Sequence, residues 1–260
     1  MVKRILQKLF NTFGYRISKV RSPMECPFID VLDLILDGYL KGHPDFFFLQ
    51  IGANDGCTDD PIVHLVKKYH LRGLFVEPQP IAFKRLVKNY LGEDQLIFEN
   101  SLITTYDGTA TFYSVPEDLP GLPYNFYQAG SMKREVLVSV LIATQRAEKG
   151  TMLPRDIETL VNEYSLPALK PETLLVKHHI NKVDLLVIDT MGYDFEILKA
   201  FPFYLMKPPI IHFEYALLPI DDQEKCLRYL AELGYSFIDV SVDTIACLDV
   251  KTRSGFCFRS

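Results

Sequence analysis

The chain reads as an α/β domain built on a doubly wound, mostly parallel sheet with antiparallel strands at its C-terminal end. Three observations predict this. Phe46, Phe47, Phe48, Leu49 and Ile51 form a nearly continuous apolar stretch, suited to a strand covered on both faces. A glycine-cornered turn, Gly52-Ala53-Asn54-Asp55-Gly56, leads from it into a helical pattern at Ile62, Val63, Leu65, Val66 and Tyr69. Strand and helix patterns then alternate until about residue 233, after which strands follow one another with only turns between them.

The elements can be justified in order. Thr58, Asp59 and Asp60 are candidate caps for the first helix, and Pro61 suits its first turn. Gly73 to Val76 is the second strand and ends in Glu77-Pro78. Ile81 to Leu91 is a helix with Phe83, Leu86, Val87 and Tyr90 inward, and Leu96 to Asn100 is the third strand. Val183 to Asp189 is the fourth, Tyr193 to Phe201 its helix, Ile210 to Glu214 the fifth, and Asp222 to Leu233 another helix. Ser236 to Val240, Thr244 to Val250 and Gly255 to Arg259 close the sheet as strands. Between about Ser114 and His179, nine prolines and glycines divide an irregular insertion, too long for an ordinary connection. Within it Glu135 to Lys149 and Pro154 to Glu163 look helical, and the whole is expected to act as a lid over the strand ends. Domain organisation follows: an N-terminal amphipathic appendage over residues 1–45, and one domain over 46–260.

Ligands of open α/β sheets lie beyond the carboxyl ends of the strands, where both the glycine turn and Glu77 fall. The turn lacks the middle glycine of G-x-G-x-x-G, which disfavours a dinucleotide. Gln50, Gly52, Asn54, Asp55 and Gly56 are therefore candidate contacts for a nucleotide cofactor. Glu77, with Pro78, would bind ribose hydroxyls. Asn100 and Ser101, at the third strand's end, would read an adenine. Asp189 ends the fourth strand and belongs to both the cofactor set and the catalytic set. His212 and Glu214 share one face of the fifth strand and could act as a base and its orienting carboxylate. Each also has a bland role, as helix cap or satisfied core residue. Asp194 is near enough in sequence to share a divalent ion with Asp189, but no metal site is predicted. The pair His178-His179 lacks zinc spacing.

These residues resemble the FkbM-like family of S-adenosylmethionine-dependent methyltransferases. The resemblance covers about residues 46 to 245 and rests on IGANDG at 51–56, GLFVEPQP at 73–80, DGTATFY at 107–113 after Asn100-Ser101, VDLLVIDTMGYDFEIL at 183–198 and IIHFEY at 210–215. It implies a class I methyltransferase, Rossmann-like fold, S-adenosyl-L-methionine as cofactor, and methyl transfer to a hydroxyl of a sugar, glycan or natural product. The chain departs from the family pattern twice. Met191 stands where a glutamate is expected, and Gln50 where an aspartate often ends the first strand.

At 260 residues and 48% apolar, the chain can bury one large α/β core. Its net charge of −5, with signs interspersed, points away from nucleic acid and towards a small-molecule or glycan acceptor. Five scattered cysteines without C-x-x-C suit reduced thiols and a cytoplasmic location. Lys3, Arg4, Lys8, Arg16, Lys19 and Arg21 alternate with Ile5, Leu6, Leu9, Phe10 and Phe13, a basic amphipathic pattern. It would suit peripheral contact with the inner membrane surface, or packing on the domain or a partner chain, and a homo-oligomer stays open. Two other functions remain beside methyl transfer: a nicotinamide-dependent oxidoreductase, and a catalytically silent cofactor-binding scaffold suggested by Met191.

Overall fold

A computed structural model describes residues 30–116, 119, 122, 124–147 and 156–248. The amphipathic segment 1–21 and the strand expected at Gly255 to Arg259 lie outside the described residues. From Leu32 onward the described chain forms one compact unit.

The central sheet has seven strands in the order β10-β11-β9-β8-β1-β2-β3. Here β1 is Phe47–Ile51, β2 Arg72–Val76, β3 Leu96–Glu99, β8 Leu185–Ile188, β9 Ile210–Glu214, β10 Ser236–Val240 and β11 Asp243–Cys247. Strands β3, β2, β1, β8 and β9 are parallel, whereas β11 runs antiparallel to both β9 and β10. This is the doubly wound, mostly parallel sheet with an antiparallel C-terminal edge that the sequence predicts. Its interior strands are apolar on both faces because helices cover both: Leu49, Leu74 and Leu186 are fully buried, as are Phe48, Phe75 and Val187. The covering helices are α2 (Val63–Tyr69), α3 (Pro80–Asn89), α6 (Pro171–Lys177), α7 (Asp194–Ala200) and α8 (Ile220–Glu232). The chain reverses direction across the sheet between β1 and β8, which opens a crevice at their carboxyl ends.

Helix α1 (Val31–Leu40), which the sequence reading places in the appendage, is tied to this domain. Tyr39 donates its hydroxyl to the buried Asp184 carboxylate at 2.9 Å, and Lys68 pairs with Asp33 at 2.9 Å.

The insertion differs from expectation. It is organised as a second, four-stranded sheet of order β4-β7-β5-β6, with β4 Leu102–Ile103, β5 Gly108–Ser114, β6 Gly130–Ser131 and β7 Asn162–Leu169. It therefore begins before Ser114. The helix expected up to Glu163 is only a 3-10 turn at Ile157–Leu160, after which the chain pairs antiparallel with β5 from Asn162 to Ala168. Pairing along β5 overrides local helical spacing because it satisfies a full row of backbone groups. Helices α4 (Tyr124–Gln128) and α5 (Arg134–Ala147) complete the insertion, around a small core of Phe126, Leu137, Leu141 and Ile157. No helix among the described residues is long and apolar enough to cross a membrane.

Candidate active site

A cavity of about 270 Å³ opens at the carboxyl ends of β1, β2 and β8. Its floor is the turn after β1. The Gly52 and Ala53 N–H groups both donate to the Val76 carbonyl, and the Asp189 N–H donates to the Ile51 carbonyl at 2.9 Å, so the three strand ends are laced together. Gly52 adopts φ +85, and a Cβ there would lie 1.8 Å from the Asp189 carbonyl oxygen. The reason for this glycine is thus a backbone crossing, not room for a ligand. Gly56 (φ +66) has a similar origin, because a Cβ would strike Leu86 and Tyr90.

Glu77 is buried beneath the turn. Its Oε2 accepts the Asn54 N–H at 2.7 Å and its Oε1 the Gln79 N–H at 2.8 Å. Burial outweighs those two donors and pushes its carboxyl up to about 7. Two polar atoms on the cavity wall, Gln50 Oε1 and Ser101 Oγ, are buried without a hydrogen-bond partner. Native proteins rarely leave such groups unpaired, so both are suited to a polar ligand. The Gln50 amide is oriented by Asp60, to which its Nε2 donates at 2.8 Å.

Gln50, Gly52, Asn54, Glu77, Pro78, Ser101 and Asp189 all line the cavity. Asp55, Gly56, Asn100, His212 and Glu214 are not among its lining residues. Asp55 folds the loop instead, accepting from the Cys57 and Thr58 N–H groups, the Thr58 hydroxyl and the Tyr124 hydroxyl. The Asn100 amide is spent on the Glu77 and Pro78 carbonyls, which leaves Ser101 as the polar group at that strand end. The far wall is built by the insertion, through Phe112, Asn125, Gln128, Met132, Val140 and Thr144. No periodic signal marks these residues, and only their tertiary placement reveals them. Asp60 was legible in sequence as a cap but is also part of the wall.

Of the three catalytic candidates, Asp189 alone reaches the cavity. Behind it lies a cluster of carboxyls. Burial, then Asp194 and Asp243, raises Asp189 to about 8. Burial raises Asp194 to about 7, although it accepts from the Thr190 hydroxyl at 2.8 Å and the Glu214 N–H at 3.2 Å. Glu214 is pushed to about 10 by burial and by Asp189, and its Oε2 is buried without a partner. His212 Nε2 lies 3.8 Å from Asp243, so the same strand face that carries Glu214 presents it to a second carboxylate. Among the described residues, no group of three or more His, Cys, Asp or Glu side chains is placed to hold a metal ion.

Glu214 has a measurable consequence. Its folded pKa lies above its unfolded one, so the folded state holds a proton that the unfolded state releases. The associated stability is complete at pH below about 4.5 and declines as pH rises towards about 10. Glu214→Gln, neutral at every pH, is expected to stabilise the protein by about 1–2 kcal/mol at pH 8 and little at pH 4.5. Thermal melts at both values check this, and an equal gain at both would contradict it.

Met191 also has a defined place. It sits at φ +51, its carbonyl accepts the Ser131 hydroxyl at 2.8 Å, and its side chain packs against the insertion's core. The position that sequence pattern reserves for glutamate thus fastens the insertion to the loop after β8.

Residues 50–237 match the family model described as the methyltransferase FkbM domain. The chain belongs to the FkbM methyltransferase family. Among solved structures, a methyltransferase FkbM from Methylobacillus flagellatus KT is similar at 11% identity and a TM-score of 0.45, over 78% of this chain and 43% of that one. The chain therefore spans less than half of that relative's length. An RNA methyltransferase from Salinibacter ruber, in complex with S-adenosyl-L-homocysteine, is similar at 12% identity and a TM-score of 0.37, over 86% of this chain and 92% of that one. An O-methyltransferase from Bacillus cereus in complex with SAH is similar at 11% identity and a TM-score of 0.37, over 94% and 89%. No curated protein matches the chain.

Proposed function

We propose that this FkbM-family methyltransferase uses S-adenosylmethionine to methylate a hydroxyl of an uncharged sugar, glycan or natural product. The observation that carries the reading is the pairing, on one cavity wall, of the buried Glu77 carboxylate with the unpartnered Gln50 Oε1 and Ser101 Oγ. Glu77 suits ribose hydroxyls, Ser101 suits an adenine edge, and the Gln50 carbonyl can accept from an ammonium group. Bound S-adenosylmethionine supplies an electrophilic methyl group on a cationic sulfur.

An acceptor hydroxyl needs a place to leave its proton. Asp189 is the carboxyl at the cavity suited to take it, because a group raised to about 8 is a far better base than an ordinary aspartate. A sulfonium cation beside it favours its ionised form at neutral pH. The insertion supplies the acceptor wall and excludes water. Asn125, Gln128 and Thr144 offer amides and a hydroxyl, while Phe112, Met132 and Val140 offer apolar contact. No Lys, Arg or His lines the cavity among the described residues, which disfavours phosphorylated or carboxylated acceptors.

Calorimetric titration tests the cofactor. Micromolar binding of S-adenosylmethionine and S-adenosylhomocysteine, without NAD binding, is the expected result; NAD alone would overturn it. The scaffold reading retains one favouring observation, the thioether at Met191 in place of a carboxylate. Transfer of labelled methyl to a panel of methyl glycosides, lost in Asp189→Asn, would exclude it.

A further inference from the structure

Helix α4 is only five residues long, and a helix that short does not persist without outside contacts. Three hydrogen bonds with residues around the cavity hold it, two of them at one carbonyl. The Gln128 carbonyl, one of the acceptors a helix C-terminus leaves unpaired, receives Asn54 Nδ2 at 2.9 Å and Gln79 Nε2 at 3.5 Å. The Tyr124 hydroxyl donates to Asp55 Oδ2 at 2.9 Å.

Asn54 and Gln79 are also the two residues whose backbone N–H groups are held by the Glu77 carboxylate. One buried carboxylate therefore sets the backbone position of both side chains that grip the Gln128 carbonyl. Asn54 sustains this at φ +49, a left-handed conformation that asparagine tolerates better than most residues.

We propose that Asn54 is a positioning residue that couples cofactor occupancy to the acceptor wall: a ribose engaging Glu77 fixes the Asn54 backbone, and the Asn54 amide then fixes α4 through Gln128. This rests on the reading of the cavity as the methyl-donor site. Asn125 and Gln128 belong to the acceptor wall, so a bound donor steadies that wall in the arrangement seen here, and acceptor binding is tighter once the donor is in place. The coupling can be no larger than the difference in donor affinity between the tethered and released states of α4.

Hydrogen–deuterium exchange on the full chain tests this with S-adenosylhomocysteine as probe, at concentrations shown by titration to saturate each protein. In the wild type, exchange over residues 124–131 is expected to slow several-fold on saturation. Asn54→Gly keeps the left-handed backbone and the N–H to Glu77 but removes the amide, and should lose most of that protection. Tyr124→Phe, which removes only the Asp55 tether, should lose part of it. Equal protection in the wild type and both variants would overturn the proposal, as would a wild type that binds the probe without protection. A wild type that does not bind the probe would instead overturn the cofactor reading, which the titration reports separately.

Discussion

Gly52→Ala is expected to cost on the order of 4 kcal/mol or to prevent folding altogether. The new Cβ would lie 1.8 Å from the Asp189 carbonyl oxygen and 2.8 Å from its carbonyl carbon, both backbone atoms fixed by the β1–β8 pairing. Relief would require separating the two strands that carry the cavity. Its φ of +85 adds strain that any side chain would suffer. Gly92→Ala is the matched control. It shares a positive φ, +93, but nothing lies within 4 Å of its added Cβ, so backbone strain of about 1 kcal/mol is the whole expected cost. Denaturant unfolding of both variants measures the difference. Equal stability losses would mean that the β1–β8 crossing is looser than the structure shows.

Glu77→Ala is expected to weaken S-adenosylhomocysteine binding about 100-fold, or about 2.7 kcal/mol, with a smaller effect on thermal stability. Two losses combine: the acceptor for ribose hydroxyls, and the anchor for the Asn54 and Gln79 N–H groups that shape the turn. Stability suffers less because the carboxyl is buried at a desolvation cost, visible in its rise to about 7. The same rise sets a pH dependence in the wild type. Ribose hydroxyls donate to the ionised form, so affinity should be full above pH 8 and fall towards tenfold weaker at about pH 6. Calorimetry across that range checks both expectations. Affinity that is flat with pH, or unchanged in Glu77→Ala, would remove Glu77 from the donor site.

Much of the fold is written in short stretches of the sequence. β1 stands out as an aromatic run at Phe46 to Phe48, β2 as the short strand closing on Glu77-Pro78, and β8 as Leu185 to Ile188. Strands buried on both faces must be apolar throughout, and that leaves a mark which needs no partner to interpret. The change to strands without helices after Leu233 marked the antiparallel edge for the same reason. Cavity residues at strand ends were legible because open α/β sheets place ligands there. Gln50, Glu77, Ser101 and Asp189 all follow from that rule.

The misplacements have a common cause. Asn162–Leu169 became a strand because β5, some fifty residues earlier in the chain, offers it a ladder, and Pro154 to Glu163 reads as helix only when that partner is ignored. Asp55 and Asn100 carry the side chains expected of a cofactor site, yet the Asp55 carboxylate is taken up by loop N–H groups and by the Thr58 and Tyr124 hydroxyls, and the Asn100 NH2 by the Glu77 and Pro78 carbonyls. Glu214 lies two residues from His212 on the right strand, but the cavity ends at Asp189 and the glutamate faces carboxyls instead.

By itself, the sequence determined the doubly wound sheet, the strand ends at which a donor would bind, and the family to which the chain belongs. Those properties depend on burial and on turns, which are encoded within a few residues. Tertiary structure alone decided that Gly52 serves a backbone crossing, that Met191 pins the insertion, and that Asn125 and Gln128 complete the wall. Each of these depends on atoms brought together from 60 or more residues apart, as in the bonds of Ser131 to Met191 and Asn54 to Gln128, and no local pattern records which partner a side chain will meet.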